Sequence, residues 1–227
     1  MAINLKRTGG ISAANGVKLI VYGQAGSGKT CLIPTLPNVI AISAEAGLLS
    51  IADFNIPYIE VTNMEQLRDA YAWCKDSAEA AQFQSVALDS ISEVAEVVLA
   101  HELKRNKDGR AAYGELNTTM QEMIRAFRDL PGKHVYMSAK LEKSQDEMGR
   151  LLFNPAMPGK SLTQGLPYYV DECFALRVER DSDGNAYRGL MCQSDGVWSA
   201  KDRSGKLDAW EAPDLGAIIA KIGNAPC

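Results

Sequence analysis

Short apolar runs bounded by turn residues alternate along this chain with stretches whose apolar positions recur every three or four residues. Val17-Lys18-Leu19-Ile20-Val21-Tyr22 reads as a strand that runs straight into Gly23-Gln24-Ala25-Gly26-Ser27-Gly28-Lys29-Thr30. A helix is expected to start within that loop and to stay short, because Pro34 and Pro37 remove backbone donors and crowd the preceding turn. Val39 to Ser43, ending at Ala44-Glu45-Ala46-Gly47, and Tyr58 to Thr62 read as two further strands, short enough to be buried parallel ones. Asn63, with Gln66 three residues on, forms a capping box before Met64, Leu67, Ala70, Tyr71 and Cys74 at helical spacing.

Ser85 to Asp89 is the next apolar strand, and it closes on a carboxylate. Ile91, Val94 and Val98 make one helix face and Leu116, Met120, Met123, Ile124 and Phe127 another, with a polar, basic segment from Lys104 to Tyr113 between them. His134 to Ala139 predicts a strand. The stretch 141–163, with Gly149, Pro155, Pro158 and Gly159, is too long for a simple connector and reads as a mobile loop. Cys173 to Arg180 and Tyr187 to Gln193, joined by Asp181-Ser182-Asp183-Gly184-Asn185, predict a hairpin. Leu215, Ile218, Ile219 and Ile222 line a last helix that stops at Gly223.

This alternation predicts an α/β fold with a mostly parallel sheet covered by helices on both faces, plus a C-terminal β-hairpin extension. The expected division of one domain over 1–227 is an N-terminal segment 1–16, a core 17–140, the loop 141–163, and the hairpin and last helix in 164–227. Ligands in such sheets bind at the carboxyl ends of the strands.

Composition narrows the class. The chain has 227 residues, 46% apolar and 23% charged, with a net charge of −4, which excludes disorder and collagen-like architecture. The apolar stretch Val17 to Tyr22 falls far short of the roughly 20 residues that span a bilayer, and the N-terminus has no signal-peptide core. A cytoplasmic protein with no membrane partner is expected. Cys31, Cys74, Cys173, Cys192 and Cys227 form no CxxC pair, so buried thiols are a better reading than a zinc site or a disulfide framework. Charge is uneven: +4 over 1–37, −8 over 38–100, +3 over 101–170 and −3 over 171–227. The third segment can meet a polyanion locally, or it is a solvated mixed-charge surface.

Gly23-x4-Gly28-Lys29-Thr30 is a complete P-loop between an apolar strand and a helix start. The backbone N–H groups of Gly23, Gln24, Ala25, Gly26, Ser27, Gly28, Lys29, Thr30 and Cys31 are the expected phosphate cradle, Lys29 the cation for the β- and γ-phosphates, and Thr30 a Mg²⁺ ligand. ATP and Mg²⁺ are the expected cofactors. Asp89 is the natural second carboxylate for the metal, although Asp89 or Ser90 also suits a helix cap. Glu45, at the end of the strand after the P-loop, is placed to polarise a water for attack on the γ-phosphate; a solvated turn residue is the bland alternative.

The order P-loop, Ser43-Ala44-Glu45-Ala46-Gly47, strand to Asp89, strand to Ser138-Ala139-Lys140, hairpin and Lys201-Asp202-Arg203 resembles a RecA-like P-loop NTPase core. More narrowly, it is similar to the short phage-encoded RecA-like ATPases described as single-strand annealing proteins of the Sak type, over about residues 17–222. The resemblance implies a ring or filament homo-oligomer in which Lys201 and Arg203 reach a neighbour's nucleotide. It also implies a sensor near Ser138 and Lys140, single-stranded DNA as partner, and a single-strand-binding protein as a further one. By the same resemblance, DNA contacts fall on Lys104, Arg105, Lys107 and Arg110 and on Lys143, Arg150 and Lys160, with Tyr113 and Phe153 as stacking residues. RecA proteins carry a Gln sensor where this chain has Ser138-Ala139-Lys140, and the chain has no room for extra DNA-binding domains, so annealing fits better than strand exchange. Two other classes fit the P-loop: a small-molecule kinase with residues 141–160 as lid, and a nucleotide-gated assembly protein with little turnover.

Overall fold

The computed structural model describes residues 15–45 and 47–223. The N-terminal residues 1–14, Ala46 and Cys227 lie outside the described residues, as does the side chain of Lys160.

Four parallel strands carry the centre: β1 (Lys18–Gly23), β2 (Val39–Ser43), β4 (Ser85–Asp89) and β5 (His134–Gln145), with the short β3 (Tyr58–Glu60) at one edge. β5 lies between β1 and β4, so the P-loop strand and the strand that ends at Asp89 are not neighbours. Beyond β1 come β7 (Glu172–Arg180), parallel to it, then antiparallel β8 (Ala186–Met191) and β10 (Trp210–Glu211). The hairpin predicted after Cys173 is therefore an integral part of the sheet, extending it on the β1 side.

Strand alternation separates two cores. Ile20, Ile42, Leu88 and Met137 face α1 (Met64–Asp76), α2 (Ile91–Arg105), α3 (Gly109–Arg128) and α4 (Lys160–Tyr169), packing with Leu67, Val94, Leu116, Met120, Phe127 and Leu166. On the other face Leu19, Val21, Ala41 and Tyr136 meet Leu32, Ile33 and the apolar stripe of α5 (Leu215–Gly223). Cys74, Cys173 and Cys192 are buried free thiols, as the composition suggested, and Cys31 is exposed.

The caps follow the sequence closely. Asn63 Oδ1 accepts from the Gln66 amide at 3.0 Å, while the Gln66 side chain reaches back to the amide of Thr62 at 2.8 Å. Ser90, rather than Asp89, caps α2 through the Glu93 amide at 3.3 Å.

The helix that starts in the P-loop stays short, a 3-10 stretch over Thr30–Thr35 with Pro34 inside it. Other expectations need correction. The third strand is an exposed edge that stops at Glu60 instead of a buried one. The stretch 141–163 is not a loop: β5 runs on to Gln145 and pairs antiparallel with β6 (Leu151–Pro155), and α4 begins at Lys160. The ladder satisfies backbone groups that a loop would leave to solvent. The basic segment from Lys104 to Tyr113 is mostly helical, with Lys104 and Arg105 closing α2 and Arg110 in the first turn of α3. Among the described residues, no helix is long and apolar enough to cross a membrane.

Candidate functional site

The parallel strands bring their carboxyl ends to one edge, where Gly23 pairs in register with Lys140, and Ser43 with Asp89. Residues separated by more than a hundred positions thus line one cleft: the P-loop, Glu45, Asp89, Ser90, Lys140, Lys143 and Arg188, around a volume of about 780 Å³.

The P-loop is held from below and from the side. Tyr136, fully buried in β5, donates its hydroxyl to the Lys29 carbonyl at 2.9 Å. A side chain at Gly23 would come within 2.7 Å of the Leu176 carbonyl in β7, so glycine permits that close approach. Gly28 has φ +102°, a conformation few L side chains adopt, and faces the Arg188 side chain. The Lys29 ammonium donates to the carbonyls of Gly23 and Gln24, both at 2.9 Å. Burial lowers its pKa from the ordinary lysine value, and the carboxylates of Asp89 and Glu45 oppose that shift.

Asp89 is buried at the end of β4 with both oxygens engaged. Thr30 donates its hydroxyl to Oδ2 at 2.8 Å, and the buried Ser138 hydroxyl donates to Oδ1. This pair of hard oxygen groups, a hydroxyl and a carboxylate at one edge, suits a divalent cation of the Mg²⁺ class. Glu45 is exposed to the cleft, and its Oε1 accepts from Ser90 Oγ at 2.7 Å. Lys140 lines the cleft but its ammonium is paired with Glu93.

The structure thus brings together Gly23 to Cys31, Glu45, Asp89, Ser138, Lys140 and Lys143. It does not bring Lys201 and Arg203 to this cleft. Lys201 opens β9 (Lys201–Asp202) and Arg203 follows it; β9 pairs with the amino end of β7 through Cys173↔Lys201 and Glu172↔Asp202, at the opposite edge of the sheet from the P-loop. Lys201 donates to the carbonyls of Pro167 and Val170, the latter at 2.6 Å, so it caps the end of α4. Arg203 pairs with Asp171 at 2.9 Å. Lys104, Arg105, Lys107 and Arg110 are exposed together at the α2–α3 corner; Arg105 also lies 3.5 Å from Glu102. Arg150 is tied to Asp146 at 2.7 Å. Phe153 stacks on Trp198, with ring centres 4.2 Å apart, and Lys143 stands over its ring. His134 accepts from the Val17 amide at 3.0 Å, a structural role.

Sequence reasoning missed Tyr136, Ser90 as a partner of Glu45, and Arg188. A tyrosine inside an apolar strand does signal a hydroxyl in need of a partner. Arg188 carries no local signal, since it looks like any polar position of a solvated hairpin.

A P-loop strand separated from its acidic strand by an intervening parallel one, with Lys29, Thr30 and Asp89 meeting at the sheet edge, defines a P-loop ATPase domain. The chain matches the AAA domain family over residues 15–204 and belongs to that family. No curated protein matches it. Among solved structures, the KaiC-like protein PH0186 from the hyperthermophilic archaeon Pyrococcus horikoshii OT3 is similar at 15% identity. That match covers 81% of this chain and 83% of that one, with a TM-score of 0.43.

Proposed function

We propose that the protein is a Mg²⁺-dependent ATPase that binds single-stranded DNA and promotes annealing as a homo-oligomer, in a phage-encoded setting. The observation that carries the ATPase part is the convergence of Lys29, Thr30, Asp89 and Glu45 on one cleft. Lys29 and the P-loop amides bind the triphosphate and orient it. Thr30 and Asp89 would hold Mg²⁺, which supplies positive charge to the β- and γ-phosphates when bound. Glu45, fixed by Ser90 through Oε1, presents its other oxygen to a water and takes that water's proton as it attacks.

The DNA part rests on the resemblance in motif order and on two surfaces. The α2–α3 corner exposes Lys104, Arg105, Lys107 and Arg110. The β5–β6 hairpin grows directly out of cleft residues Lys140, Leu141 and Lys143 and carries Phe153, so nucleotide and hairpin share one continuous strand. The kinase alternative expects residues 141–160 to close as a lid, whereas residues 141–155 form a paired hairpin.

Steady-state hydrolysis with Mg²⁺, with and without single-stranded DNA and with Lys29→Ala as blank, tests the proposal. Stimulation by DNA is expected; hydrolysis indifferent to DNA would overturn the DNA part. Neutralising Lys104, Arg105 and Lys107 should reduce the salt slope of DNA binding by about 2, at ~0.7 per phosphate contact on a single strand. An unchanged slope would remove this corner from the interface.

A further inference from the structure

The β7–β8 hairpin leans on the P-loop at both ends of the phosphate cradle. At the first glycine, the Leu176 carbonyl of β7 occupies the space a side chain on Gly23 would need. At the last, Arg188 of β8 lies across Gly28, with Nε and Cδ at 3.3 and 3.4 Å from where a Cβ would stand. The register explains the reach. β1 ends at Gly23, beside Lys140, while β7 continues past Ala175, the partner of Tyr22, and pairs Val178 with Arg188. The hairpin therefore stands beside the loop, beyond the end of the strand that feeds it.

The two arginines of this region differ in how they are used. Arg177 is consumed by Glu179 and by Asp195 at 3.9 Å, and its guanidinium lies over Trp198 and Trp210. Arg188 donates Nε to the Ser27 carbonyl at 2.9 Å and has no acidic partner among the described residues. It lines the nucleotide cleft. An anchored Nε restrains the guanidinium and leaves its two terminal nitrogens without a hydrogen bond among the described residues, as donors suited to a phosphate oxygen. The Ser27 hydroxyl beneath this anchor is buried with no hydrogen-bond partner among the described residues.

We propose that Arg188 is a nucleotide-binding residue supplied from within the same chain, its guanidinium fixed on the Ser27 carbonyl and donating to the phosphate chain of the bound nucleotide. Occupancy of the P-loop is thereby coupled to the β7–β8 hairpin. The inference rests on the nucleotide reading above.

Calorimetric titration of ATP and ADP into the wild-type protein, Arg188→Gln and Lys29→Ala, at low salt and at tenfold higher salt, tests it. Arg188→Gln should weaken both nucleotides roughly tenfold at low salt, as expected for loss of one charge-assisted contact at an accessible site, and the penalty should shrink at high salt. Arg188 is exposed, so the variant is expected to keep the wild-type melting temperature. Wild-type affinity in Arg188→Gln, with binding lost in Lys29→Ala, would overturn the role of Arg188 and leave the nucleotide reading standing. A penalty that does not change with salt would make Arg188 a brace for the loop and also overturn the proposal. Equal or absent binding in wild type and Lys29→Ala would instead overturn the nucleotide reading itself.

Discussion

Ser90 Oγ donates to Glu45 Oε1 at 2.7 Å, joining the residue after Asp89 to the carboxylate at the end of the neighbouring strand. β2 and β4 are in register at Ser43↔Asp89, so two short turns leave adjacent strand ends and meet. One hydrogen bond thus fixes where the proposed base stands relative to the proposed metal ligand.

Glu45→Gln is expected to lower kcat by roughly 10²–10⁴ with ATP affinity within about threefold of wild type, since a positioned base acts in the transition state. Ser90→Ala should lower kcat by a smaller factor and also cost about 1 kcal/mol of stability, because Ser90 caps α2. Turnover and nucleotide titration measured together decide the case: wild-type kcat in Glu45→Gln would return this carboxylate to the role of a solvated turn residue.

Asp89→Asn keeps the shape of the side chain and removes its charge. ATP should then bind nearly as well with Mg²⁺ as in EDTA, whereas the wild-type protein should bind more tightly with Mg²⁺. A Mg²⁺ effect equal in both proteins would mean that Asp89 serves Thr30 and Ser138 structurally and not the ion.

Lys201→Met should destabilise the isolated, nucleotide-free chain by about 1–3 kcal/mol, because it strips the donor from the carbonyls of Pro167 and Val170. Denaturant melts give the number. A fully stable variant would free Lys201 for the role in a neighbouring subunit implied by the RecA resemblance. Mixing Lys201→Ala/Arg203→Ala with Glu45→Gln protein would then show rescue at mixed interfaces.

Two buried groups at the lower sheet edge give opposite pH dependence in adjoining windows. Burial and the neighbouring Asp202 carboxylate push Glu172 up from its ordinary 4.5 to about 8. The folded state holds this proton more tightly than the unfolded chain, so its contribution is fully present below pH 4.5 and lost as pH rises through 8. Burial pulls Lys18 down from 10.5 to about 8, so the folded state sheds that proton first and stability is regained between pH 8 and 10.5. Melting Glu172→Gln beside the wild-type protein should show a gain in the variant that is larger at pH 8 than at pH 5. A difference constant over that range would exclude Glu172 as the titrating group.

The phosphate loop, the acidic strand end and the α/β alternation are legible in the linear sequence because each depends on neighbours within about ten residues. Glycine spacing, an apolar run closing on Asp89, and capping by Asn63 and Ser90 are local chemistry. Segment 141–163 is not legible in that way. Its prolines and glycines resemble a loop, yet pairing of Leu141 with Pro155 and of Gln145 with Leu151 makes residues 141–155 a hairpin, and α4 takes up the chain from Lys160. Strand pairing is settled by the partner across the ladder, not by local propensity.

Charge shows the same division. Lys201 and Arg203 are conspicuous cations in the sequence, yet antiparallel pairing of β9 with the amino end of β7 carries them away from the P-loop, to the end of α4 and to Asp171. Arg188 is inconspicuous, yet β7 outruns β1 and β8 folds back over the last glycine of the loop. The sequence by itself determined that a P-loop follows β1 and that Asp89 closes a buried strand, since these are properties of short segments. Only the tertiary structure decided which cations and hydroxyls share the cleft, because strand order and register set the distances between residues remote along the chain.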